Sequence, residues 1–107
     1  MGDTLQRVRD LVRAGTVKIS EHGYDELAAD GISAREIVEG LPDAFLIEEY
    51  PSFAKGPCVL VRQRDKKGNA VHAVWGILRN ELSPAVLITA YRPDPERWAD
   101  DFSRRMK

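Results

Sequence analysis

Leu5, Val8, Leu11 and Val12 recur at helical spacing and predict an amphipathic helix at the start of the chain. Asp3 and Gln6 have the separation of a capping box, and Gly15 supplies a left-handed stop. A second helix is expected from about Glu21 to Asp30, with Ser20 as N-cap and Tyr24, Leu27 and Ala28 facing inward. Gly31 ends it. In the following GISAREI, Ser33 caps a third helix, Glu36 closes its box and Ile32 can staple onto Ile37. Gly40 and Pro42 keep that helix short.

Beyond Pro42 the period changes from helical to alternating. FLIEEY, CVLVRQR, AVHAVWGIL and AVLITAYR are rich in β-branched and aromatic residues and are separated by turn chemistry. Asp65 to Asn69 forms a hairpin loop with Gly68 or Asn69 at positive φ, and Arg79 to Pro84 forms a longer one. Short connections imply an antiparallel four-stranded meander. Asp94 and Pro95 have the chemistry of a helix start, with Trp98 and Phe102 on one face of a C-terminal helix. The expected fold is α+β: N-terminal helices, a four-stranded antiparallel sheet and a C-terminal helix in one domain, residues 1–107.

Composition narrows the class. At 43% hydrophobic and 31% charged residues, the chain has the balance of a folded domain rather than a disordered one. No apolar run approaches the ~20 residues that span a bilayer, and no signal-peptide core is visible, so a cytoplasmic protein without membrane contact is expected. Gln6 stands where a myristoylation signal wants Ser or Thr. Cys58 is the only cysteine, which excludes an internal disulfide and a cysteine metal cluster.

The net charge of −1 conceals an asymmetry. From Ile19 to Glu49 there are nine acids and one base, Arg35, whereas Tyr50 to Arg92 carries seven bases against Asp65 and Glu81. The helical pair around Gly31 has the outline of a helix-turn-helix, but Glu36, Glu39 and neighbouring acids would repel DNA phosphates.

The basic half offers more chemistry. A five-residue loop at Asp65–Asn69 sets Arg64 opposite Ala70 and Arg62 opposite His72. Arg62, Arg64 and His72 then share one face, with Val59, Val61, Ala73 and Trp75 on the other. An imidazole titrates near neutrality, and neighbouring guanidiniums favour its neutral, basic form while pairing with phosphate oxygens. Tyr91 adds a hydroxyl and a ring on which a base can stack. The minimum chemistry is metal-free RNA cleavage, with a base on the 2′-OH, cations on the phosphorane and an acid on the leaving oxygen. Lys55, Arg62, Arg64 and Arg92 are the candidate phosphate contacts. A strand histidine also serves as a structural side chain with a satisfied hydrogen bond. His22, in the first turn of its helix, can act as a neutral base or simply pair with Glu26. No cofactor and no metal is called for: two distant histidines are a poor zinc pattern, and no phosphate loop or nucleophile elbow is present.

ISEHGYDELAADGISAREIVEGL, LIEEYP, GPCVLVRQRDKKGNAVHAVWGI and LITAYRPDPERW together resemble the bacterial domain of unknown function 4258 family from Ile19 to Trp98. The marks are Ser-x-His at Ser20, Gly-Ile-Ser at Gly31, the third-strand His72 and the closing ITAYxPDPxxW. The family is similar in layout to the BrnT and RelE-like ribonuclease toxins, often encoded beside a zinc-finger antitoxin. The resemblance implies an mRNA-cleaving toxin or its descendant, with His22, His72 and Tyr91 as catalytic residues. Where the family carries arginines in the second helix, this chain has Glu26 and Asp30, which weakens RNA contact there. The rival expectation is a non-catalytic module whose acidic helices or sheet edge bind a protein partner such as a basic antitoxin tail; a homo-oligomer is a separate expectation. A small-molecule pocket between sheet and helices is a third, with no ligand indicated.

Overall fold

In the computed structural model, which describes residues 3–99 and 101–105, three helices cover one face of a five-stranded mixed sheet and a two-stranded hairpin lies against the other. Helix α1 spans Thr4–Arg13 and buries Leu5 and Val8. Asp3 sits at its N-cap without a side-chain cap bond, and Gln6 donates to Asp10 instead of closing the expected box. Gly15 takes φ +78°, the left-handed stop its position called for.

Strand β1, Val17–Ile19, comes next and runs parallel to the last strand of the large sheet. Ser20 then caps α2, Glu21–Ala29: its Oγ accepts from the Gly23 amide at 2.9 Å and donates to the Ile88 carbonyl at 2.8 Å. One hydroxyl thus starts the helix and ties it to the sheet. Leu27 is buried as expected, but Tyr24 is 58% exposed and Ala28 is also exposed. The inward face of α2 is narrower than its pattern suggested, because Gly23 and Leu27 are the positions of this helix that become buried. Helix α3, Ala34–Gly40, begins at Ser33 without a side-chain cap bond and passes through Pro42 into a 3₁₀ turn, Leu41–Asp43. Glu36 does not close a capping box. Its Oε1 accepts the Lys66 amide at 2.7 Å, across 30 residues.

Strands β2 (Phe45–Tyr50), β3 (Cys58–Arg64), β4 (Ala70–Gly76) and β5 (Ala85–Tyr91) pair antiparallel in chain order. The complete order is β1-β5-β4-β3-β2. The sheet is therefore five-stranded and mixed, not the four-stranded antiparallel sheet the sequence suggested. Backbone pairing of the short Val17–Ile19 segment, rather than any pattern within it, adds the extra edge.

The C-terminal end also departs from the expected fold. Asp94 starts one turn, with its Oδ1 accepting the Glu96 amide and its carbonyl the Arg97 amide. The chain then extends into β6 (Trp98–Ala99) and returns as β7 (Arg104–Arg105), so the expected helix does not form. A helix this short is marginal by itself, and side-chain contacts to the sheet favour the extended course.

The core lies between helices and sheet: Leu5, Val8, Leu27, Ile37 and Leu41 meet Val59, Val61, Ala73, Trp75 and Leu87. Gln63 lies in the same layer at 1% exposure, donating to the Ile37 carbonyl at 2.7 Å and accepting from Trp75 Nε1 at 2.8 Å. Among the described residues no helix is long and apolar enough to cross a membrane.

Candidate functional site

The β3–β4 register is fixed by its loop. Asp65 Oδ1 accepts from the amides of Lys67 and Asn69, each at 2.9 Å, and Gly68 takes φ +84°. Glu36 holds the Lys66 amide from the helical side. With the loop so held, Arg62 faces His72 and Arg64 faces Ala70, as the alternation predicts, and Val59, Val61, Ala73 and Trp75 are fully buried on the opposite face. Pairing continues outward on both sides. Phe45, Arg62, His72 and Tyr91 form one cross-strand row over four strands.

His72 has no exposed surface. Trp98 packs edge-on against its ring with centroids 4.3 Å apart, and Tyr91 lies at 5.6 Å. Its Nε2 lies 2.7 Å from the Phe102 carbonyl. A carbonyl only accepts, so Nε2 carries the proton and Nδ1 keeps its lone pair, buried without a partner. Burial pushes the imidazole below its ordinary range; the Phe102 carbonyl opposes this, and the Arg105 and Arg62 charges add to it. The ring is neutral at pH 7. Burial likewise raises the Tyr91 hydroxyl, which stays protonated as a donor.

The cations are not free. Arg62 donates to the Asp101 carbonyl at 3.2 Å and lies 3.4 Å from its carboxylate, while Arg64 pairs with that same carboxylate oxygen. Arg62 is nearly covered, and burial followed by the Arg64 charge lowers its pKa. Its guanidinium also lies over the Phe45 ring at 5.4 Å. Nearby, Arg105 pairs with Glu48 at 2.6 Å and stacks on Trp98 at 5.1 Å. Tyr91, Arg92, Asp94, Arg97, Trp98 and Arg105 line an open cleft of about 680 Å³ beside this cluster.

The remaining predicted residues stand elsewhere. His22 is 66% exposed on α2, 3.5 Å from Glu26. That helix contributes Leu27 to the helix-side core, whereas His72 faces the other way, so the two histidines are not brought together. Lys55 lines a separate, mostly apolar groove with Phe53, Gly76, Ile77 and Ile88, reached from His72 by four residues of β4, roughly 13 Å. Arg92 neighbours the row but is held by Asp65 at 2.9 Å. Glu26 pairs with His22, and Asp30 accepts the Arg92 amide at 2.9 Å. Neither is among the contacts of His72.

Trp98, Asp101, Phe102, Arg105 and Glu48 were not among the site residues expected from sequence. Glu48 was accessible in principle, since it faces Leu60, but a bulge between Leu46 and Glu48 shifts the β2 alternation that would have revealed it. The others depend on the terminal hairpin. Chemically the row and the adjacent Arg64 hold a neutral base, a protonated phenol and two guanidiniums, the set needed for phosphodiester transfer. Substrate reaches the imidazole only if Trp98 and Phe102 move away. Among the described residues no three His, Cys, Asp or Glu side chains gather as a metal site.

A family model described as domain of unknown function (DUF4258) matches residues 19–92. The match ends within the closing motif, leaving Pro93 to Trp98 outside it. No curated protein and no solved structure matches the chain.

Proposed function

The chain belongs to the DUF4258 family, and on that premise we propose that it is a metal-independent endoribonuclease, or a descendant of one, acting on single-stranded RNA as the toxin of a bacterial toxin–antitoxin pair. One observation carries this reading: the cross-strand row that sets Arg62, His72 and Tyr91 side by side. His72 Nδ1 takes the 2′-hydroxyl proton, Arg62 and Arg64 hold the phosphorane oxygens, and Tyr91 protonates the leaving oxygen. The resemblance to BrnT and RelE-like toxins supports the same assignment and points to a cytoplasmic protein with an antitoxin partner of zinc-finger type. His22 and Lys55 have no part in this chemistry.

The test is degradation of single-stranded RNA by purified protein in EDTA. His72→Ala is expected to abolish it while circular dichroism stays native, and Tyr91→Phe to slow it. Intact RNA at high protein concentration would remove the proposal.

The sealed ring of His72 favours a second reading, a non-catalytic module that binds a partner such as an antitoxin through its acidic helices or sheet edge. Strand β2 is one of the two outer strands of the large sheet and offers such a pairing surface. A stable complex indifferent to His72→Ala would favour it.

A further inference from the structure

Among the described residues, the groups that cover His72 and reach both Arg62 and Arg64 from outside the large sheet come from one short segment, and that segment follows the family match, which ends at residue 92. Trp98 closes over the ring. The Phe102 carbonyl takes the ring proton, and the Asp101 carboxylate sits against both Arg62 and Arg64. A carboxylate between two guanidiniums occupies the position and satisfies the donors that a phosphodiester would. The backbone is forced to deliver these groups: Asp101 and Phe102 are consecutive non-glycine residues at φ +59° and +66°. Left-handed backbone is unfavourable for such residues and persists only where the surrounding structure holds it. The hairpin turn, closed by the Ser103 amide on the Ala99 carbonyl, and the contacts with the site together hold it here.

We infer that the terminal hairpin is an internal occupant of the anion site, with Asp101 standing in for a phosphodiester, so that nucleic acid and hairpin exclude each other. The inference rests on the phosphate-binding role proposed for Arg62 and Arg64, and adds to it a means of holding the site closed. The Asp101 side chain is 52% exposed and so is open to exchange with solvent ions; its pair with the half-exposed Arg64 contributes little, the one with the more covered Arg62 somewhat more, and an incoming polyanion can displace the carboxylate from both.

Asp101→Asn in the full chain removes the charge while retaining a residue that tolerates positive φ. Three measurements are made on wild type and variant: amide exchange of residues 98–105, anisotropy of a labelled single-stranded RNA dodecamer, and binding of inorganic phosphate. The variant is expected to exchange faster across the hairpin and to bind RNA and phosphate about three- to tenfold more tightly, the size of one or two exposed ion pairs. Saturating RNA is expected to speed the same exchange in wild type. Tighter phosphate binding by the variant without any RNA cleavage supports the inference and removes the nuclease reading. Cleavage at equal rates by both proteins with unchanged hairpin exchange overturns the inference and leaves the nuclease. Unaltered exchange and unaltered anion binding overturn it whatever the activity.

Discussion

His72 Nε2 donates a 2.7 Å hydrogen bond to the main-chain carbonyl of Phe102, joining the middle of the sheet to the terminal hairpin across 30 residues. The bond holds one tautomer in place and keeps the ring under cover, so the protonation of this single side chain is coupled to folding.

Because the folded pKa of His72 lies below 6.5, the unfolded chain takes up the proton first as pH falls. The contribution to stability is complete above about pH 6.5 and is lost progressively below it, down to the folded value. Of the groups facing the ring, the cationic Arg105 and Arg62 strengthen this direction, the Phe102 carbonyl opposes it, and the Tyr91 hydroxyl is neutral there. Urea midpoints are expected to fall between about pH 7.5 and 5.5, and His72→Gln is expected to flatten that dependence. Asp65 does not interfere. Burial raises its carboxyl, but the Asn69 amide, Arg92 and the Lys67 amide lower it more, so its contribution disappears only below about 3.8. Equal pH slopes for both proteins would contradict the assignment.

Gln63 is the one polar side chain in the helix-facing layer of β3, and it satisfies two buried partners, the Trp75 indole and the Ile37 carbonyl. Gln63→Ala strands both and leaves a small cavity. A loss of about 3 kcal/mol is expected in urea unfolding, from desolvated polar groups and lost packing. A change below about 1 kcal/mol would mean that other groups or water take over both bonds.

Gly56 crosses under the β4–β5 connection with φ +141°, where a β-carbon would press on the Ile77 carbonyl and lie 2.6 Å from the Arg79 amide. Those neighbours are backbone and cannot swing aside; the Arg79 amide already bonds the Lys55 carbonyl at 2.8 Å. Gly56→Ala is expected to lower stability by about 2 kcal/mol or more, read as a drop in thermal midpoint. Gly68, also at positive φ, has nothing within 4 Å of its β-carbon position, so Gly68→Ala suffers only the backbone strain and should be milder.

The cations expected from sequence to hold RNA should separate by place. Arg62→Gln removes a guanidinium from the His72 row, whereas Lys55→Gln changes a groove at the other end of β4. Titration of a labelled RNA at several salt concentrations is expected to show the salt slope falling by about 1 for Arg62→Gln and hardly at all for Lys55→Gln. Equal effects would shift the RNA path towards the Lys55 groove.

The pairing of Arg62 with His72 was legible because a hairpin register follows from loop length and the two-residue alternation, both local quantities. The helix starts were legible in outline, but not every cap: Ser20 bonds as its position implies, while Glu36 left its own helix for the Lys66 amide. Val17–Ile19 is too short to announce a strand. Its identity comes from pairing with β5, nearly seventy residues away.

The sequence by itself determined the α+β class, four of the strands, the core face of β3 and β4 and the company His72 keeps on the other face. Those follow from periodicity and turn chemistry, which act over a few residues. Tertiary structure alone decided that the ring is sealed, that Asp101 answers both arginines and that the last segment is a hairpin. Local signals at Asp94 and Pro95 favour a helix, but a single turn is all they produce; contacts of Trp98, Phe102 and Arg105 with a sheet assembled earlier in the chain outweigh them.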